Sequence, residues 1–291
     1  MTAKVDILSL GCGWTSQFLQ PALQKRGIDH AFTSTAPDSQ WASRLQGKAH
    51  VFKLGSDGWK EALKNLPAAD LVVVVFPIKE TSLLDELVAA FEHHHGPTSW
   101  LVLGSTGIWM DGHHTSSSPI DASNARGQVE ERLLATKGLQ SAVLNLAGLY
   151  GGERKPMNFI LKAAPTRDAL QQKNALHLVH GEDVSRAIIE MWKQRKDDRL
   201  WGRRWIVSDT NSYDWWHLAA IMPGLPSHYP EWSRSLAQEY SLSTPRPRLA
   251  AGEDPSPRTL NRTLDGGEFW DVVGIDHKEL SKGVYREQNQ L

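Results

Sequence analysis

The chain has 291 residues, 40% hydrophobic and 22% charged, with 32 basic against 33 acidic side chains. That is the composition of an ordinary globular protein, and it excludes disordered, coiled-coil and collagen-like chains. Residues 1–150 carry 12 basic and 14 acidic groups and residues 151–291 carry 20 and 19, so neither half has the positive field that nucleic-acid binding needs. The single cysteine, Cys12, excludes an internal disulfide and a thiolate metal cluster. No stretch approaches 18 apolar residues, and a soluble, cytoplasmic protein without a membrane partner is expected. Half of the 24 aromatic residues are tryptophan.

In chain order, Val5–Leu10 reads as a short apolar strand ending at Gly11. Gln17–Lys25 follows with Phe18, Leu19, Ala22 and Leu23 at helical spacing. Ile28–Thr33 and His50–Leu54 read as strands, and a helix is expected from about Trp59 to Leu66. The run Asp70–Phe76 has no polar face, which is what a strand covered by helices on both sides looks like. Thr81–His94 is predicted helical, Trp100–Leu103 a strand, Asn124–Lys137 helical and Ser141–Leu146 a strand. Such alternation implies an α/β fold, a doubly wound parallel sheet with right-handed crossovers. After Tyr150 strand signals become sparse, Leu176–Val179 and Trp205–Val207 being the best, with a helix at Glu182–Lys193. Residues 1–150 are therefore expected to form one domain around this sheet. Residues 151–291 are expected to form a smaller substrate-side lobe interleaved with the end of that domain. Seven tryptophans crowd this second half, and the adjacent Trp215 and Trp216 are expected to divide between core and surface.

Gly11-Cys12-Gly13-Trp14-Thr15-Ser16 lies between the first strand and the first helix. The first glycine permits a tight turn, and the second lets the backbone approach a pyrophosphate resting on the positive helix N-terminus. Ser16 stands where such a fingerprint has its third glycine, and a small residue there still allows close packing. At the end of the second strand an acidic residue would hold a ribose 2′-hydroxyl. No carboxylate appears before Asp38, while Ser34 and Thr35 offer hydroxyls and Arg44 is the nearest arginine. NADP is thereby favoured, with NAD as the second choice. Gly11, Gly13, Trp14, Thr15, Ser34, Thr35 and, after the later strands, Phe76, Pro77 and Ser105 make the expected cofactor-binding set.

Four further segments carry a resemblance. Leu103-Gly104-Ser105-Thr106-Gly107-Ile108-Trp109 resembles a Ser-Ser-x-x-Val-Tyr-Gly segment, and Leu146-Ala147-Gly148-Leu149-Tyr150-Gly151 an Arg-x-x-Gly-x-Tyr-Gly segment. His177-Leu178-Val179-His180-Gly181-Glu182-Asp183 resembles Asn-x-Ile-His-Val-Asp-Asp, and Arg258-Thr259-Leu260-Asn261 a basic-x-x-Asn element. The chain thus resembles the extended and atypical short-chain dehydrogenase/reductases, in particular nucleoside-diphosphate-sugar-epimerase-like proteins. The resemblance implies a Rossmann fold, a nicotinamide cofactor and a small-molecule substrate. It also implies a catalytic Tyr-x-x-x-Lys pair, in which the tyrosine is the general acid/base. Here the sequence departs, for the corresponding helix has no tyrosine or lysine between Pro119 and Leu134 and carries Arg126 and Glu130 at the four-residue spacing.

Arginine is too basic to shuttle protons near neutrality, so Arg126 could neutralise an anionic group or form a helix salt bridge with Glu130. Ser105 keeps the position of the family's catalytic Ser/Thr. Asp111, His113 and His114 follow at the carboxyl end of a strand, where His113 is the best remaining proton carrier. The expected catalytic set is Ser105, Arg126 and His113. His93-His94-His95 reads as a solvated helix end rather than a metal site, because consecutive helical residues point about 100° apart. No metal is expected. His177 and His180 read as hydrogen-bonding residues of the fold, and Arg154 and Lys155 as candidates to meet an anionic substrate. The readings that stay open are an oxidoreductase with a non-standard proton donor, a non-redox isomerase, cyclase or lyase on the same fold, and a non-catalytic dinucleotide sensor or scaffold. The sequence is also compatible with an oligomer.

Overall fold

A computed structural model of the chain describes residues 4–36, 39–45, 49–249, 252–254, 256 and 258–280. Seven strands form the central sheet: β1 (Val5–Leu10), β2 (His30–Ser34), β3 (Ala49–Val51), β4 (Ala69–Val74), β5 (Ser99–Ser105), β7 (Ser141–Leu146) and β11 (Arg203–Val207). Their spatial order is β11-β7-β5-β4-β1-β2-β3, every pair parallel. Shorter strands pair outside it: β6 (Gly112–His114) with β13 (Arg262–Leu264), β8 (Gly148–Tyr150) with β10 (Leu178–His180), and β9 (Ala175–Leu176) with β12 (Tyr213–Asp214). The chain is α/β with helices on both faces of a parallel sheet.

The reason is visible in β4, where Leu71, Val72, Val73 and Val74 are all fully buried. Side chains alternate faces along a strand, so Leu71 and Val73 enter one core and Val72 and Val74 the other. The first core is closed by α1 (Ser16–Lys25), α8 (Gly181–Lys193) and α11 (Gly267–Val273), through Leu19, Leu23, Ile188 and Phe269. The second is closed by α3 (Trp59–Lys64), α4 (Thr81–His95) and α5 (Ala125–Leu134), through Leu63, Leu87, Phe91 and Leu133. A short α2 (Gln40–Arg44) follows β2, started by Ser39, whose hydroxyl accepts the Ala42 amide. A third core gathers α6 (Pro156–Ala163), α7 (Arg167–Gln171), α9 (Trp215–Ile221) and α10 (His228–Glu239) around Ile160, Leu170, Trp216 and Leu236.

Three expectations are corrected. The single strand expected at Leu176–Val179 is two, because the chain changes partner at His177: β9 pairs with β12, and the His177 carbonyl accepts the Gly148 amide beside β8 and β10. The helix expected to run to Lys137 stops at Leu134, ahead of a turn whose Gly138 has φ +77°. Trp215 and Trp216 do not divide between core and surface. Both are buried in the third core, Trp216 donating Nε1 to the Leu170 carbonyl and Trp215 lying under the Lys173 ammonium. The second half is also richer in helix than its sequence suggests. Among the described residues no helix is long and apolar enough to cross a membrane.

Candidate cofactor and active site

In doubly wound sheets ligands bind outside the carboxyl ends of the strands, and here that edge carries the glycine loop. Gly11 has φ +101°, and a Cβ on it would stand 2.6 Å from Val75 Cγ2 and 3.2 Å from the Phe76 ring, so only glycine fits. The loop is pinned from below: the Gly11 amide donates to Thr33 Oγ1 at 2.8 Å, and Ser9 Oγ donates to the Gly11 carbonyl at 2.8 Å. Ser16 Oγ lies 2.9 and 2.8 Å from the Cys12 and Gly13 carbonyls, which explains serine at the third position: its hydroxyl ties the loop it abuts. What remains free is informative. Among the described residues, the amides of Gly13, Trp14 and Thr15 have no hydrogen-bond partner in the chain, and a Cβ on Gly13 would meet nothing within 4 Å. Three unused N–H groups at a helix start, fronted by open space, form a cradle that suits a pyrophosphate.

Around this cradle, Trp14 packs edge-on against Phe18, and the Arg154 guanidinium sits 4.5 Å over its ring. Burial lowers the Arg154 pKa. At the end of β2, Ser34 is buried and its hydroxyl is committed to the turn, donating to the Ala36 carbonyl at 2.7 Å beside Ser39 Oγ at 2.9 Å. Thr35 is exposed next to it. Arg44 lies over Trp41 and pairs with Glu153 at 3.1 Å, joining the far end of the glycine-loop side to the turn after β8. Phe76 and Pro77 follow β4 and line a small pocket with Val102, Arg126, Val129 and Glu130.

The catalytic candidates are dispersed along the same edge. Ser105 ends β5 half-buried, its Oγ accepting the Gly107 amide at 3.1 Å and its carbonyl accepting Asn145 Nδ2 at 3.3 Å. Arg126, on the first turn of α5, donates to the Leu103 carbonyl and stands 3.5 Å from Glu130. Glu130 is almost wholly buried; it accepts Asn145 Nδ2 at 2.7 Å and Arg204 at 3.2 Å, and Arg204 also bonds Glu131. Burial raises the Glu130 pKa against the pull of Asn145, Arg204 and Arg126. Burial lowers that of Arg126, with Glu130 opposing. A Cβ on Gly104 would stand 2.6 Å from Glu130 Oε1, so this glycine exists to admit the buried carboxylate. His113 is exposed on β6, its Nδ1 2.8 Å from Thr263 Oγ1 of β13. His114 stacks on Trp109 and bonds the Met110 carbonyl.

Farther along, His177 Nε2 is 2.9 Å from Ser212 Oγ, and His180 Nδ1 accepts the Glu182 amide at the start of α8. Burial pushes the His177 imidazole down to about 3, with Arg262, Arg248 and His114 adding to the effect. Asp209 is buried and accepts the Tyr213 hydroxyl at 2.6 Å; burial pushes its carboxyl up to about 6. Sequence reasoning passed over Glu130 as a buried hub, Asn145, Arg204 and Arg262. The first three meet across 74 residues of sequence, so no local pattern signals them. Arg262 follows directly on the basic-x-x-Asn element, and that adjacency was the one available signal.

No protein-family model matches the chain, and no curated protein does. Solved structures do. A Methylobacillus flagellatus protein described as an NAD-dependent epimerase/dehydratase superposes with TM-score 0.63 at 16% identity, over 99% of this chain and 97% of that one. RMD from Pseudomonas aeruginosa, complexed with NADPH, gives 0.55 at 13% identity over 94% of each chain. A dTDP-glucose 4,6-dehydratase double mutant from Streptomyces venezuelae, with NAD bound, gives 0.57 at 15% identity over 96% and 94%. These likenesses establish the fold: a Rossmann sheet with its companion lobe, arranged as in the epimerase/dehydratase-like proteins.

Proposed function

We propose that the protein binds a nicotinamide dinucleotide on the glycine loop, NADP(H) in preference to NAD(H), and acts as an oxidoreductase on a small organic molecule held beneath the C-terminal lobe. The observation that carries the reading is the unused amide row of Gly13, Trp14 and Thr15 in front of an open Gly13. These amides would hold the pyrophosphate. Thr35 and Arg44 would hold a 2′-phosphate, Arg44 by leaving a solvent-exposed ion pair of the kind worth at most about 1 kcal/mol. Phe76, Pro77 and Ser105 would border the nicotinamide end. When bound, the cofactor supplies hydride transfer.

The chain's own residues then have three tasks. The Ser105 hydroxyl donates to a substrate oxygen. Arg126 places positive charge behind the end of β5 through its bond to the Leu103 carbonyl, without exchanging a proton. His113, accessible on β6, carries the proton that an alkoxide product needs near neutral pH. The near-balanced charge supports a protein without a nucleic acid as partner, and the single cysteine fits a cytoplasmic one.

A second reading, non-redox chemistry such as isomerisation or elimination, is favoured by one observation: α5 devotes both of its suitably spaced charges to each other and to the sheet. Titration with NADPH and NADH, followed through tryptophan fluorescence, tests the cofactor. Quenching with energy transfer, tighter for NADPH, is expected, and no response to either removes the reading. Consumption of NADPH over a panel of carbonyl compounds then separates a reductase from the non-redox reading.

A further inference from the structure

The turn after β8 reaches across to the start of α1. It is closed on itself, the Gly151 amide donating to the Arg154 carbonyl at 3.0 Å and the Arg154 amide to the Gly151 carbonyl at 3.1 Å. A Cβ on Gly152 would stand 2.8 Å from Gln17 Oε1, and one on Gly151 2.6 Å from His180 Nε2. The turn is thus wedged between the first turn of α1 and the start of α8, where only glycines, at φ +115° and +56°, come so close. From this fixed position Arg154 lays its guanidinium 4.5 Å over the Trp14 ring. Trp14 is itself buried in the glycine loop, with an idle backbone amide and an indole Nε1 that is buried without a hydrogen-bond partner.

The charge so placed is unspent. Glu153, its neighbour in the turn, gives its carboxylate to Arg44 at 3.1 Å. Among the described residues no carboxylate lies within ion-pair distance of Arg154, and its guanidinium nitrogens have no hydrogen-bond partner. The side chain is exposed, and partial burial acts on its ionisation with no acidic group set against it. Lying over a ring engages the face of a guanidinium and leaves its N–H fork open to a phosphate.

We propose that Arg154, held in place by Trp14, is a clamp for the dinucleotide that supplies the counter-charge to a pyrophosphate seated on the amides of Gly13, Trp14 and Thr15. The proposal rests on the cofactor reading above. It adds a side-chain donor from the second half of the chain to the backbone donors of the first.

Dissociation constants for NADPH and NADH, measured by titration calorimetry at several potassium chloride concentrations, test it without turnover. Wild type is expected to bind both. Arg154→Gln is expected to weaken both by the same factor, about tenfold, equivalent to about 1.4 kcal/mol. Its affinities are also expected to depend less on salt, because a screened ion pair has gone. Arg154→Lys keeps the charge but not the fork, so a several-fold loss with wild-type salt dependence is expected, and this variant decides the matter if Arg154→Gln does not fold. Lys162→Gln, an equal charge change on the exposed side of α6, is expected to leave both affinities unaltered. Unchanged affinities in both Arg154 variants overturn the proposal, as does an equal loss in Lys162→Gln. A loss confined to NADPH overturns it by giving Arg154 to the 2′-phosphate, and a loss in Arg154→Gln with undiminished salt dependence reduces the residue to a support for Trp14. If wild type binds neither dinucleotide, the cofactor reading falls and takes the clamp with it. If wild type binds both and the Arg154 variants equal it, only the clamp falls.

Discussion

The glycine loop and helix α5 stand at the same edge of the same sheet and treat their polar groups in opposite ways. The loop pins its carbonyls and leaves the amides of Gly13, Trp14 and Thr15 unused. Helix α5 turns Arg126 and Glu130 toward the sheet, where they meet the Leu103 carbonyl, Asn145 and Arg204. A region with idle donors and a region whose charges are tied to the sheet are thus separated by little more than β4 and β5. The contrast teaches that the two charges spaced four apart on α5 belong to the frame of the molecule.

The strongest way to break the contrast is to empty the closed side. Glu130→Ala leaves Arg204 buried with only the exposed Glu131, and a loss of about 3–5 kcal/mol is expected in urea unfolding. A loss below 1 kcal/mol would show that the network is not structural. On the open side the two glycines should separate. Gly11→Ala meets both a left-handed backbone and Val75, and is expected to cost about 1–3 kcal/mol. Gly13→Ala is expected to keep stability within about 0.5 kcal/mol while weakening NADPH in the fluorescence titration, because its methyl fills only the space a ligand would use. Equal effects in both assays would dissolve the distinction.

A third measurement concerns two buried titratable groups of the second half, His177 and Asp209. Asp209, raised to about 6 from 3.8, holds its proton more tightly in the folded state. Its contribution to stability is therefore full below about pH 4 and is lost as pH rises through 6. His177, lowered from 6.5 to about 3, contributes fully above about pH 6.5 and loses this as pH falls. The two oppose each other between about pH 4 and 6. Asp209→Asn should then show stability falling on acidification, and His177→Gln stability falling as pH rises, each by up to about 1.4 kcal/mol per pH unit. Parallel curves for the two variants would contradict both assignments. The smallest effect is expected at Arg44. Arg44→Ala should change stability by less than about 1 kcal/mol yet narrow the preference for NADPH over NADH, read as the ratio of their dissociation constants.

The central sheet was legible because its strands are buried on both faces and announce themselves as unbroken apolar runs; Ser141–Leu146 has the bounds the sequence suggests. The glycine loop was legible because its chemistry is local. The second half was not. Its strands β12 and β13 are two and three residues long, and β13 finds its partner β6 about 150 residues away. Helix α10 opens on His228, Tyr229 and Pro230, which mask its helical spacing. Glu130 reads as half of a surface pair until Arg204 arrives from β11.

That arrival has a consequence for how the molecule is made. The strand that covers β7 lies at residues 203–207, so a nascent chain that has already supplied six of the seven strands still presents the unpaired backbone edge of β7 and a Glu130 that lacks Arg204. An open, fully buried-type strand is an invitation to pair with another chain. The central sheet is therefore obliged to wait, unfinished, until residues 203–207 have left the ribosome, and a fragment cut after Tyr150 is expected to aggregate rather than fold.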